Sequence, residues 1–207
     1  DLLWLHAASV GETNAVLPLI ERLLDARHDL HILLTTGTVT SAGIAAQRLP
    51  ARAIHQYLPL DSGPYVRRFL DHWRPTVAVL TEQEIWPNLI IEAHARRIRI
   101  ALINARMSAR SLLRWQGKPE VARALFGKLD AVLAQNDQLG RALSALGAIN
   151  VTAVGNIKID APLLPVDTAA TASLAQALAD RPRFLAASTH PGEEIIIAAA
   201  HRIVQKT

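Results

Sequence analysis

Hydrophobic positions along the chain follow two alternating rhythms. Compact apolar runs at Leu2 to His6, Leu30 to Leu34, Ala53 to Tyr57, Val77 to Leu80, Ile98 to Ile103, Ala131 to Leu133 and Val151 to Val154 have the length and residue types of strands. Between them, apolar residues recur every three or four positions, which predicts amphipathic helices at Ala15 to Arg27, Thr40 to Gln47, Val66 to Trp73, Asn88 to Arg96, Pro119 to Lys128 and Gln138 to Leu146. Strands alternating with helices in this way make βαβ units, and their sheet is parallel and covered on both faces. The pattern therefore predicts an α/β, Rossmann-like domain over residues 1–160.

The alternation pauses between Gly155 and Asp167, where Pro162 and Pro165 mark a linker. Beyond it the pattern predicts a helix at Thr168 to Ala179, a strand at Phe184 to Ala187 and a helix at Glu193 to Val204. Three elements over about 40 residues cannot cover a sheet on both faces. Residues 161–207 thus read as a linker and the beginning of a second, incomplete domain.

Composition narrows the chemistry. The 207 residues contain no cysteine, which excludes disulfides, thiolate nucleophiles and Cys-ligated metals. Charge-free apolar runs such as Ile195 to Ala200 fall far short of the roughly 20 residues of a membrane-spanning helix. No basic segment followed by an apolar one opens the chain, so no signal peptide is read, and the missing initiator Met points to an upstream segment. The net charge of +4 invites a nucleic-acid reading. Aromatics at 4% and arginines spread over several helices argue against it, and an anionic substrate or membrane surface suits the charge as well.

Ligands of an open parallel sheet sit beyond the carboxyl ends of its strands, so the loops there matter most. The first, His6-Ala7-Ala8-Ser9-Val10-Gly11-Glu12, lacks the G-x-G-x-x-G dinucleotide fingerprint. Its S-x-x-E spacing is that of a capping box, while Glu12 at a sheet edge could also accept a proton from a substrate hydroxyl. Thr35-Thr36-Gly37-Thr38 supplies hydroxyls and a glycine at the next strand-to-helix turn, where caps are equally expected. Thr81-Glu82-Gln83-Glu84-Ile85-Trp86-Pro87-Asn88 places two carboxylates beside an indole, which reads equally as solvated loop acids near a helix start or as a grouping able to hold a sugar or tune a base.

Arg106 and Arg110 could pair with phosphate or carboxylate or simply form a solvated basic loop, and Ser108 between them fits a helix cap. In Ser188-Thr189-His190-Pro191-Gly192-Glu193-Glu194, Ser188 and His190 could face a ligand, although two acids weaken this helix start as a phosphate site. There is no H-E-x-x-H, Walker A or G-x-S-x-G sequence, which disfavours metal catalysis, P-loop chemistry and α/β-hydrolases.

These loops, together with Tyr57-Leu58-Pro59-Leu60-Asp61 and Gly155-Asn156-Ile157-Lys158-Ile159-Asp160, form seven motifs in order from Trp4 to Glu194. The set resembles the 3-deoxy-D-manno-octulosonic acid (Kdo) transferases of Gram-negative lipopolysaccharide synthesis. Gln83 stands where that family usually has Thr, and Met107 where Leu is commoner; neither change removes a charge. Members are about twice this length, so the resemblance implies a chain truncated at both ends, without a membrane-associating N-terminal segment and most of a donor domain.

The resemblance implies a GT-B type fold, with an acceptor-binding domain and a donor domain facing each other. It implies inverting, metal-independent transfer of Kdo from CMP-Kdo to lipid A precursor (lipid IVA), with no cofactor, at the cytoplasmic face of the inner membrane. Glu12 becomes the general base, and one of Glu82 and Glu84 positions the acceptor or supports Glu12. Ser9, Gly11, Thr36, Gly37, Asn88, Arg106 and Arg110 fall on the acceptor side, and Ser188, His190 and Gly192 on the donor side. Lys158 and Asp160 lie where the domains join. The rival readings are another GT-B sugar-nucleotide enzyme, either a glycosyltransferase or an epimerase, and a non-catalytic lipid A or sugar-binding module. These 207 residues alone are expected to be inactive.

Overall fold

The computed structural model describes residues 1–160, 166–179 and 184–204. The chain divides into two compact units, Asp1–Pro162 and Leu163–Thr207. In the first, strands β1 (Leu2–His6), β2 (His31–Thr36), β3 (Ala53–Tyr57), β4 (Val77–Thr81), β5 (Arg99–Ala105), β6 (Ala131–Ala134) and β7 (Val151–Ala153) alternate with helices. The helices are α1 (Val10–Ala26), α2 (Val39–Arg48), α3 (Gly63–Trp73), α4 (Pro87–Ala95), α5 (Ala109–Gln116), α6 (Pro119–Phe126) and α7 (Asp137–Ala145). A single 3-10 turn, Ile157–Asp160, follows β7.

Every strand pairing is parallel, and the lateral order is β3-β2-β1-β4-β5-β6-β7. Side chains alternate between faces with the period of two that strands impose. On β1, Trp4 joins a core with Leu80, Ile90 and Phe126, while Leu5 joins a second core with Val16, Ile20 and Leu34 on the opposite face. The central strands are therefore apolar on both sides and read as nearly continuous apolar runs, whereas the edge strand β3 carries His55 and Gln56. Trp4 is fully buried, and its indole N–H is satisfied by Thr35 Oγ1 at 2.9 Å. The expected Rossmann-like parallel-sheet domain is present.

Helix starts follow their caps. Ser9, Thr38, Ser108 and Asn136 each accept a backbone N–H from the first turn that follows, and Pro64, Pro87 and Pro119 occupy first-turn positions where no N–H is needed. Capping by Ser9 starts α1 at Val10, five residues before the periodicity does. The short helix α5, absent from the pattern of predicted helices, is amphipathic over two turns only, and Ser108 fixes its start.

In the second unit, α8 (Thr168–Leu178) and α9 (Glu193–Val204) lie where the sequence places helices. The strand expected at Phe184 to Ala187 does not form. No other strand of that unit is found among the described residues, and an extended segment without a ladder partner is not stable as a strand. Phe184 and Leu185 are exposed accordingly. Of the expected linker, Pro162 and Pro165 lie outside the described residues. No helix among the described residues is long and apolar enough to cross a membrane.

Candidate functional site

The strand order runs 3-2-1 on one side of β1 and 4-5-6-7 on the other, so the chain reverses its direction of travel between β1 and β4. Adjacent loops diverge to opposite faces at such a switch point and leave a crevice beyond the strand ends. The loop after β1 leads into α1 on one face, and the loop after β4 leads into α4 on the other. Glu12, Glu82 and Glu84 all belong to these two loops or the helix starts they feed.

Glu12 is 7% exposed, in the first turn of α1. Its Oε1 accepts the Ser9 hydroxyl at 2.7 Å, while Oε2 accepts Ala8 N–H at 3.0 Å and the Thr81 hydroxyl at 2.7 Å. Ser9 Oγ in turn accepts Glu12 N–H at 3.3 Å. A capping box normally returns the glutamate to the N–H of the cap residue. Here it reaches one residue further back, to Ala8, and the carboxylate is also tied to the end of β4. Among the described residues Oε1 makes one hydrogen bond, which leaves it a free lone pair.

Glu82 and Glu84, two residues apart, part company. Glu82 follows β4 with φ of 53°, a left-handed conformation that a side chain tolerates only where its surroundings hold it. Its carboxylate, 7% exposed, pairs with Arg106 Nε at 3.0 Å and with Lys158 Nζ. Asn104, also left-handed at φ 50°, accepts Ile157 N–H through Oδ1 at 3.3 Å and so fastens the 3-10 turn to the end of β5. The Lys158 ammonium approaches Gly11, where a Cβ would come within 3.8 Å of it.

Glu84 turns the other way. Its Oε2 accepts the Trp86 indole N–H at 2.7 Å and lies 3.4 Å from Nε2 of the fully buried His6. Burial works to raise its pKa, but the His6 ring and the Trp86 indole outweigh that and hold it below the ordinary glutamate value. Glu84 also lines a cleft of about 490 Å³, with Gln83, Ile85, Trp86, Met107, Ser111, Arg114, Trp115 and Lys118. Among the three acids, Glu84 alone lines it, and its Oε1 accepts no hydrogen bond among the described residues.

The remaining sequence candidates divide. Gly37 N–H donates to Ala8 O at 3.2 Å, and a Cβ on Gly37 would sit 3.2 Å from that same oxygen, so the glycine lets the loops after β1 and β2 pack together. Thr36 is buried, with its hydroxyl on His55 Nε2 at 2.8 Å. The Asn88 side chain donates to Asp61 O at 2.8 Å. Arg110, in the first turn of α5, is exposed and makes no ion pair among the described residues. Ser188, His190 and Gly192 sit together on the exposed turn before α9, in the second unit. Ser188 and Gly192 have positive φ, and His190 N–H is held by Glu193 Oε2 at 2.9 Å.

Sequence reasoning missed Thr81, Asp61 and Asn104, and left His6 without a role. Their motifs were visible, but hydroxyl, amide and imidazole groups inside apolar runs carry no signal of which distant residue they meet. Among the described residues, no group of three His, Cys, Asp or Glu side chains could hold a metal ion.

Comparison with known proteins identifies the family. Residues 1–161 match the sequence family described as 3-deoxy-D-manno-octulosonic-acid transferase (kdotransferase). The 3-deoxy-D-manno-octulosonic acid transferase of Bordetella pertussis is 37% identical over 205 residues, 95% of this chain and 46% of that protein. That of Rickettsia felis is 35% identical over 197 residues, 95% of this chain and 42% of the other. The chain thus spans less than half the length of these relatives.

Among solved structures, a UDP-GlcNAc 2-epimerase from Neisseria meningitidis bound to UDP-GlcNAc superposes with a TM-score of 0.58 at 13% identity. That match covers 86% of this chain and 53% of the epimerase, and it shows a shared fold. With its ordered motifs and the match over residues 1–161, the chain belongs to the 3-deoxy-D-manno-octulosonic acid (Kdo) transferase family, whose members are glycosyltransferases.

Proposed function

We propose that the full-length protein transfers Kdo from CMP-Kdo to lipid A precursor (lipid IVA), without a metal and with inversion. The observation that carries this reading is the meeting of Glu12 and Thr81 at the crevice between β1 and β4, beside a cleft lined by Glu84. Glu12 is the general base. Its free Oε1 lone pair takes the proton of the acceptor's primary hydroxyl as that oxygen bonds to the anomeric carbon of Kdo, and CMP leaves with the electrons of the broken bond. Thr81, Ser9 and Ala8 N–H fix the carboxylate in place, so little reorganisation is needed at the moment of transfer.

The other assignments follow from position. Glu84 holds an acceptor hydroxyl through Oε1, whereas Glu82 orders Arg106 and Lys158. The cleft combines indole and aliphatic walls from Trp86, Trp115, Ile85 and Met107 with the cations Arg114 and Lys118, a lining suited to an acylated, phosphorylated sugar. Arg110, exposed and unpaired among the described residues, adds a contact to an acceptor phosphate. Residues 1–160 form the acceptor domain, and Ser188, His190 and Gly192 belong to the donor domain. The net charge of +4 favours an anionic membrane surface, the cytoplasmic face of the inner membrane.

Incubating the full-length protein with CMP-Kdo and lipid A precursor tests the reading. Release of CMP above background, unchanged by a chelator and abolished by Glu12→Ala, is expected. No release overturns the assignment in favour of another sugar-nucleotide enzyme or a binding module. Normal transfer by Glu12→Ala removes Glu12 as the base.

A further inference from the structure

His6 is fully buried at the carboxyl end of β1, and its Nε2 is the one buried side-chain nitrogen or oxygen among the described residues without a hydrogen-bond partner. That orphan atom faces Glu84 Oε2 at 3.4 Å. The other ring nitrogen, Nδ1, lies 3.1 Å from Thr35 O and 3.0 Å from Thr35 Oγ1. Two arrangements of one ring proton are available, and the neighbours discriminate between them.

The Trp4 indole is a donor only, and it gives its N–H to Thr35 Oγ1 at 2.9 Å. The hydroxyl has therefore accepted from Trp4 and retains its own proton to give. With the ring proton on Nδ1, His6 would donate to Thr35 O, the Thr35 proton would lose Nδ1 as an acceptor, and Nε2 would turn a lone pair toward a carboxylate. With the proton on Nε2, Nδ1 accepts from the Thr35 hydroxyl and Nε2–H faces Glu84. Only the second arrangement gives each group a complementary neighbour, and an unmet polar group in such a buried place is costly.

We propose that His6 is a positioning residue for Glu84. The Trp4–Thr35 pair sets the ring tautomer, and Nε2–H acts with the Trp86 indole to hold Glu84 Oε2 from two sides. Oε1 is then left to receive an acceptor hydroxyl in the cleft. The 3.4 Å approach shortens when the cleft is occupied, as hydrogen bonds around reacting groups commonly do on substrate binding. This inference rests on the reading of Glu84 as the residue that holds the acceptor.

Ring-nitrogen NMR of the uniformly 15N-labelled chain reads the tautomer without any substitution, with the His6 signals identified by their loss in His6→Gln. A bare Nδ1 and a protonated Nε2 are expected. A proton on Nδ1, whether the ring is neutral or doubly protonated, overturns the proposal. The positioning role is read in the full-length enzyme with Thr35→Val, which removes the hydroxyl proton. KM for the acceptor is expected to rise about 3- to 10-fold, the worth of one hydrogen bond, with kcat little changed, and Thr35→Ser is expected to restore it. A raised KM in Glu84→Gln together with a wild-type KM in Thr35→Val overturns the role of His6 alone. A wild-type KM in Glu84→Gln overturns the reading of Glu84, and this proposal with it.

Discussion

The Thr81 hydroxyl meets Glu12 Oε2 at 2.7 Å across 69 residues of sequence, joining the first turn of α1 to the end of β4. The contact ties together the two loops that flank the switch point. A carboxylate that is only 7% exposed depends on each of its donors, because water does not readily replace one that is lost.

Thr81→Val keeps the shape of the side chain and removes the donor. A loss of about 1.5–3 kcal/mol of folding stability is expected, as for a hydrogen bond to a charged group. Urea unfolding of the chain measures it; a loss nearer about 1 kcal/mol would show that the hydroxyl proton goes to the neutral acceptor His6 O at 2.9 Å instead, and an unchanged midpoint would show that neither bond supports the fold.

Glu82→Gln unties the second cluster. Arg106 and Lys158 are half-exposed and can be hydrated when the acid is lost, so the expected cost is modest, about 1 kcal/mol, and shrinks with added salt. The local effect is larger. Lys158 belongs to the 3-10 turn, so amide exchange at Ile157 is expected to accelerate; unchanged protection would assign the fastening of that turn to Asn104 alone.

Asp61 caps a helix from a distance. Its carboxylate accepts Leu89 N–H at 2.9 Å and Asn88 N–H at 3.2 Å, serving α4, whose own N-cap residue Trp86 offers no side-chain acceptor. Asp61→Ala is expected to cost about 0.5–2 kcal/mol, the usual worth of a cap. Thermal unfolding of the chain gives the value, and an unaltered Tm would mean that water replaces the carboxylate.

The depressed pKa of Glu84 makes a statement about acid stability. A carboxylate whose folded pKa lies below its unfolded one stabilises fully above the unfolded value, 4.5, and that contribution disappears as pH falls through the lower folded value. Stability of the wild-type chain should therefore fall on acidification below 4.5 more steeply than that of Glu84→Gln. Parallel pH profiles would show that the His6 and Trp86 contacts do not favour the ionised form.

Much of this fold was written in local pattern. The strands Leu2–His6 and Ala53–Tyr57 begin and end where their residues change character, and Ser9 announces α1 because a cap acts on residues three positions away. The strand expected at Phe184 to Ala187 failed for the complementary reason: its residues suit a strand, but a strand also needs a neighbour, which a local pattern cannot supply.

The site divides along the same line. The seven motifs were sufficient by themselves to name the family and to single out Glu12, Glu82 and Glu84. Which of the last two faces the cleft was not decided there, since both are glutamates on one turn. The tertiary structure decides it. The left-handed Glu82 delivers its carboxylate to Arg106 and Lys158, which arrive from β5 and the 3-10 turn, while Glu84 meets His6 at the end of β1. Periodicity and caps report on residues a few positions apart, whereas the lateral order of β1, β4 and β5 is settled by packing between distant segments. Only that order brings Thr81 to Glu12 and His6 to Glu84.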